Sequence, residues 1–190
     1  MAKSCRPWDV EQRWLNFTDP QSKIMRTSDG FIQGYDCQVA VDGAAQIIIA
    51  HEVVAQGNDA SRLPPMLDQI RRNTGRNPVE LSADNGYCSE ANLAELRRRR
   101  VRAYVATGRE RSSRKRTRPT GPLTIAMRRR LKRAGFRSRY RLRKQIVEPV
   151  FGHIKAARQL SRFSLRGLHA VDAEWAMLCT AHNLLKLFRA

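Results

Sequence analysis

The sequence predicts an α/β domain built on a mixed sheet flanked by helices. Three observations carry that reading. A stretch of period-two alternation runs into a turn and returns, two short apolar runs are bounded by turn residues, and helical spacing of apolar residues lies between and after them. The predicted order is β-β-α-β-α-β-α-α. At 190 residues the chain is about one domain long and can bury a core.

Residues 1–29 read as an irregular lead-in, with turn signals at Asp19-Pro20 and Ser28-Asp29-Gly30, and residues 30–190 as the folded segment. Cys37, Val39 and Val41 alternate with Asp36, Gln38, Ala40 and Asp42. Asp42-Gly43 marks a hairpin turn, and residues 46–54 form the returning strand. Asn58-Asp59 is the expected cap of a helix over 60–73, where Leu63, Met66, Leu67 and Ile70 recur at helical spacing. Pro78 ends that pattern. Residues 79–83 are a short apolar strand running into Asp84, and Ser89 caps a helix over 90–99 with the stripe Leu93 and Leu96. Residues 101–106 are a further strand. The Gly, Ser, Thr, Pro and Arg-rich stretch 107–122 reads as a mobile basic loop. Helical character resumes at Leu123 and again over 141–158, where Pro149 must sit near a first turn or kink the helix. Over 170–188, Trp175, Leu178, Cys179, His182 and Leu185 share one face, a core stripe rather than a cofactor site.

Charge narrows the function. The chain holds 36 Lys+Arg and 17 Asp+Glu, a net +19, which points to a polyanionic partner. From Arg97 to Lys144 there are 21 basic residues and one acid, Glu110, so the rest is near neutral. The runs are Arg97 to Arg100, Arg114-Lys115-Arg116, and Arg128-Arg129-Arg130. Density of that kind reads as phosphate-backbone contact rather than a bland solvated face. Only Tyr104, Phe136 and Tyr140 are aromatic there, which favours a duplex over stacked single strands. Cys5, Cys37, Cys88 and Cys179 form no Cys-x-x-Cys pair, so neither a zinc site nor a disulfide framework is expected. There is no signal-peptide pattern and no membrane-spanning run; the expected location is cytoplasmic, at the nucleoid, with no membrane partner.

A polyanion-binding α/β domain invites phosphoryl transfer, which needs carboxylates converging on divalent cations. Asp84 follows a buried strand directly, at the rim where α/β sheets place ligands; the bland alternative is a turn-forming Asp in Asp-Asn-Gly. Glu148 is the only acid between Glu110 and Asp172, and Arg141, Lys144 and Lys155 share its helical face. Its bland alternative is an i,i+4 ion pair with Lys144.

At these segments the chain resembles the bacterial insertion-sequence transposases of the DDE type. Asn16-Phe17-Thr18-Asp19-Pro20 is similar to that family's lead-in, and Gly34-Tyr35 to Val41-Asp42 to its hairpin. Ala83-Asp84-Asn85-Gly86-Tyr87 matches the block with its second catalytic Asp. Residues 143–155 match the block with its catalytic Glu, and His182-Asn183-Leu184-Leu185-Lys186 resembles its end. The resemblance covers about residues 16–188. It implies an RNase H-like fold, a two-ion Mg2+ site that Mn2+ can also fill, and cleavage and strand transfer of element ends in double-stranded DNA. A second transposase copy is a further implied partner.

Carried over, Asp84 and Glu148 are metal ligands and catalytic residues, and Tyr140, Arg143, Lys144 and Lys155 contact DNA. Four residues separate Arg143 from Glu148 where the family has three, which opens Arg143's register to Lys144. The family's first Asp has no counterpart: Asp9 lacks a strand pattern, and Asp42 reads as a turn residue. The expectation is a truncated transposase whose sheet lacks its first central strand, so that the hairpin and the 79–83 strand pair directly, recruit another segment, or stay unpaired. The alternative is a non-catalytic basic nucleic-acid-binding remnant that interferes with a full-length transposase. A basic RNA-binding protein of ribosomal type has only the charge in its favour.

Overall fold

The computed structural model describes residues 16–27, 30–55, 59–108, 121–134, 139–157 and 162–189. The basic loop is therefore largely outside the described residues, as are Asp9 and Asn58. Among the described residues the elements are β1 (Lys23–Thr27), β2 (Gly30–Gly34), β3 (Asp36–Val41), β4 (Ile48–Val54), α1 (Leu63–Thr74), β5 (Glu80–Ala83), α2 (Glu90–Arg98), β6 (Arg102–Val105), α3 (Pro122–Ala134), α4 (Arg143–Gly152) and α5 (Leu168–Phe188).

The predicted hairpin is β3 and β4, antiparallel with Cys37 opposite Val53 and Val39 opposite His51. Its turn is longer than Asp42-Gly43. Asp42 N–H donates to the Ile47 carbonyl at 2.8 Å, and the Asp42 carboxylate accepts from the N–H groups of Ala44 and Ala45. Gln46, at φ 59°, takes the left-handed position that glycine would ordinarily fill. Asp42 is thus committed to the turn. β1 also pairs antiparallel with β2, although the sequence pattern predicts irregular chain up to residue 29. Backbone pairing makes that strand, because Ile24 and Met25 are adjacent and give no alternation.

Proline in its first turn opens α1, and Gly75 at φ 77° closes it, its N–H reaching the Arg71 carbonyl. The helix itself starts later than expected, with Arg62 at its N-cap and no side-chain cap. Asp59–Arg62 is a 3-10 turn that leads into it, and Asn58 of the expected Asn58-Asp59 cap lies outside the described residues. Ser89 does cap α2, its hydroxyl accepting from Asn92 N–H at 3.2 Å. This helix crosses over between β5 and β6, which pair in parallel with Leu81 opposite Ala103.

Two apolar clusters meet across β3 and β4. On one side, Ala50 packs with Leu63, Leu67 and Ile70 of α1, Leu93 and Leu96 of α2, Val105 of β6 and Met127 of α3. On the other, Ile48 and Val53 pack with Val150 and Ile154 around α4 and Val171, Trp175 and Leu178 of α5. Fully buried side chains such as Leu67 contribute ~2–3 kcal/mol each.

The mixed sheet is not continuous. The described strands form three separate two-stranded sheets, β1-β2, β3-β4 and β5-β6. The hairpin and β5 do not pair; they are joined through the apolar cluster over α1. Polar side chains take β4 backbone groups instead. Gln69 Oε1 accepts from His51 N–H at 3.0 Å, Asn73 donates to the Ile49 carbonyl at 2.8 Å, and Asn183 bonds both N–H and C=O of Ile48.

Candidate functional site

Asp84 sits at the carboxyl end of β5, before a 3-10 turn over Asn85–Tyr87. Its backbone carbonyl opens that turn, accepting from Tyr87 N–H at 3.2 Å, while its carboxylate makes no hydrogen bond to it. The side chain is 77% exposed, and its Oδ1 accepts from Arg143 Nε at 3.0 Å, across 59 residues of sequence. Arg143 begins α4, and its guanidinium lies over the Tyr140 ring, 4.4 Å from the centroid. Arg143, not Lys144, therefore faces Asp84.

Glu148 lies on the same helix, five residues on, with an exposed side chain. It makes no ion pair or hydrogen bond among the described residues, so the bland pair with Lys144 is absent. The helix that holds it contains Pro149, which brings no N–H to the Gln145 carbonyl four residues back. Gln46 compensates from the hairpin turn: its Nε2 donates to the Gln145 carbonyl at 3.2 Å and to that of Ile146 at 3.4 Å. The α5 end grips the same turn. His182 Nε2 meets the Gln46 carbonyl at 3.1 Å, and Lys186 Nζ donates to Gln46 Oε1 at 2.7 Å. After Gly152 the helix widens into a π-helical turn, His153–Ala157, where Lys155 lies over the Phe151 ring, 6.0 Å from its centroid.

The basic helix α3 is fixed to α2 by one carboxylate. Glu90 accepts from the N–H groups of Leu123 and Thr124 and from the Thr124 hydroxyl at 2.6 Å. The Thr124 hydroxyl and then these N–H groups hold its carboxyl below the usual glutamate range, against the opposing effect of desolvation. Arg129, Arg130 and Arg133 line an open concavity of about 440 Å³. Arg128 is half-buried, and Arg130 donates to the Ala103 carbonyl at 3.3 Å. The Arg97 to Arg100 run is not one free cationic face. Glu95 pairs with Arg98 and Arg99, Asp68 pairs with Arg99, and the two arginines hold the Glu95 carboxyl down to about 2. Arg114, Lys115 and Arg116 lie outside the described residues.

Among the described residues, no three His, Cys, Asp or Glu side chains converge on a metal position. Asp84 and Glu148 nevertheless offer suitable donors, since exposed carboxylate oxygens suit Mg2+ and Mn2+. In this structure the cation on Asp84 is the Arg143 guanidinium. Sequence reading missed Gln46, Glu90 and Asn183, which position these elements. Only Pro149, a proline inside a helical pattern, signalled that an outside donor was needed.

The sequence matches the family model of the transposase DDE domain over residues 10–184. No curated protein and no solved structure matches the chain.

Proposed function

The chain belongs to the transposase DDE-domain family, and we propose on that basis that Asp84 and Glu148 supply two carboxylates of a divalent-cation site for phosphoryl transfer on double-stranded DNA. The observation that carries this reading is the orientation of Asp84. Its carboxylate ends a parallel strand, leaves its own turn unbonded, and meets the start of the helix that bears Glu148. Asp84 and Glu148 would hold such ions, which would supply charge stabilisation for the attacking and leaving oxygens of a phosphodiester. The chain's own groups do the rest. The outward arginines of α3 take phosphates, Lys144 and Lys155 add positive charge beside Glu148, and Tyr140 orients Arg143.

Titration of Mn2+ into the protein bound to a DNA duplex tests the reading. Binding that is lost in both Asp84→Asn and Glu148→Gln supports it. A second reading, a non-catalytic basic DNA-binding protein, rests on the net charge of +19. That reading predicts that neither substitution alters Mn2+ binding.

A further inference from the structure

The contact between Asp84 and Arg143 places a cation of the protein on the carboxylate that the proposed site needs free. We propose that Arg143 is a positioning residue that holds Asp84 closed while no nucleic acid is bound. A phosphate of bound duplex draws the guanidinium away, so Asp84 opens to a divalent cation only in the DNA complex. The inference rests on the assignment of Asp84 as an acidic ligand made above.

Four features support exchange rather than a fixed structural bridge. The contact is single-pronged: Nε reaches Oδ1 at 3.0 Å, and the terminal nitrogens of Arg143 make no hydrogen bond among the described residues. A guanidinium is shaped for two parallel bonds, which a phosphate supplies. Asp84 is 77% exposed and Arg143 24%, so water reaches the pair from the carboxylate side and lowers the cost of separating it. The Arg143 guanidinium carbon lies over the Tyr140 ring, 4.4 Å from its centroid, a contact that can keep the group in place through a change of partner. A guanidinium and a divalent ion on one carboxylate repel each other, so occupancy by one excludes the other.

The consequence is coupling between DNA and metal, which linkage makes reciprocal. In calorimetry on the full chain, corrected for Mn2+ uptake by duplex alone, a 20-base-pair duplex should tighten Mn2+ binding about tenfold or more. Mn2+ should tighten duplex binding by the same factor. Arg143→Gln should bind Mn2+ without DNA as tightly as the wild-type complex does, with the coupling gone. Arg143→Lys, which keeps the charge, should retain the exclusion, a rescue that loss of packing would not show. If Arg143→Gln binds Mn2+ no tighter than wild type without DNA, or keeps the coupling, the latch is wrong. If Asp84→Asn leaves Mn2+ binding of the wild-type complex intact, the assignment of Asp84 itself is wrong, and the latch falls with it.

Discussion

The side-chain amide of Gln46 donates to the Gln145 carbonyl, the acceptor that Pro149 leaves without its helical N–H, across 99 residues of sequence. One turn residue thereby fixes the helix that carries Glu148 to the β3-β4 hairpin. Gln46→Ala should lower stability to urea by about 1–2 kcal/mol, from lost hydrogen bonds. Gln46→Gly should lower it by about 1 kcal/mol less, because glycine takes φ 59° without strain. Pro149→Ala restores a backbone donor, so the Gln46→Ala loss should shrink by about 0.5 kcal/mol or more in that background. Equal losses in the two backgrounds would break the link.

Glu90 adds a polar anchor for α3 to the apolar packing of Met127. Glu90→Gln should lower the melting temperature at neutral pH and weaken amide-exchange protection in α3 before that in α1. Because the folded-state carboxyl is held below its ordinary value of 4.5, the stabilisation is full above that pH and is lost as pH falls through the folded-state value. The difference in melting temperature between wild type and Glu90→Gln should therefore narrow on acidification. Gly121→Ala should also destabilise the protein, since a Cβ there meets the Glu90 carboxylate. A melting difference that widens in acid would contradict this.

Tyr35 ties the lead-in to the rest of the fold. Its hydroxyl donates to both Asp19 oxygens at 2.8 Å, and Asp19 Oδ2 accepts from Gly167 N–H at the start of α5. Burial, the hydrogen bond to Asp19 and the Asp19 charge push the phenol up to about 12. Alkaline titration at 295 nm should show Tyr35 ionising late, a phase that Tyr35→Phe should remove. With the folded value raised, this stabilisation is full below the ordinary value of 10.0 and lost as pH rises towards 12.

Salt dependence of duplex binding separates free cations from paired ones. Arg129→Gln should reduce the slope of log K against log salt by about 0.9, one phosphate contact. Arg98→Gln, whose guanidinium already pairs with Glu95, should leave the slope unchanged. Equal effects would mean that the ion pair opens on DNA.

What the sequence made legible was local. The alternation of Cys37, Val39 and Val41, the stripe from Leu63 to Ile70 and the Ser89 cap depend on neighbours a few residues away, and each matches an observed element. The position of Asp84 at a strand end was legible because an apolar run led into it. The partition into three small sheets was not, because it depends on which groups claim a strand edge, and Gln69, Asn73 and Asn183 are distant in sequence from what they bond. The contact of Arg143 with Asp84 has the same origin. The Arg97 to Arg100 run misled because Glu95, one turn earlier, takes two of its members.

An anomalous difference map from a crystal of the protein with duplex DNA and Mn2+ is the most direct test of the shared acidic site. The expected result is a manganese peak bonded by carboxylate oxygens of both Asp84 and Glu148, with Arg143 moved onto a phosphate. Peaks that touch neither carboxylate, with Arg143 still on Asp84, would contradict it.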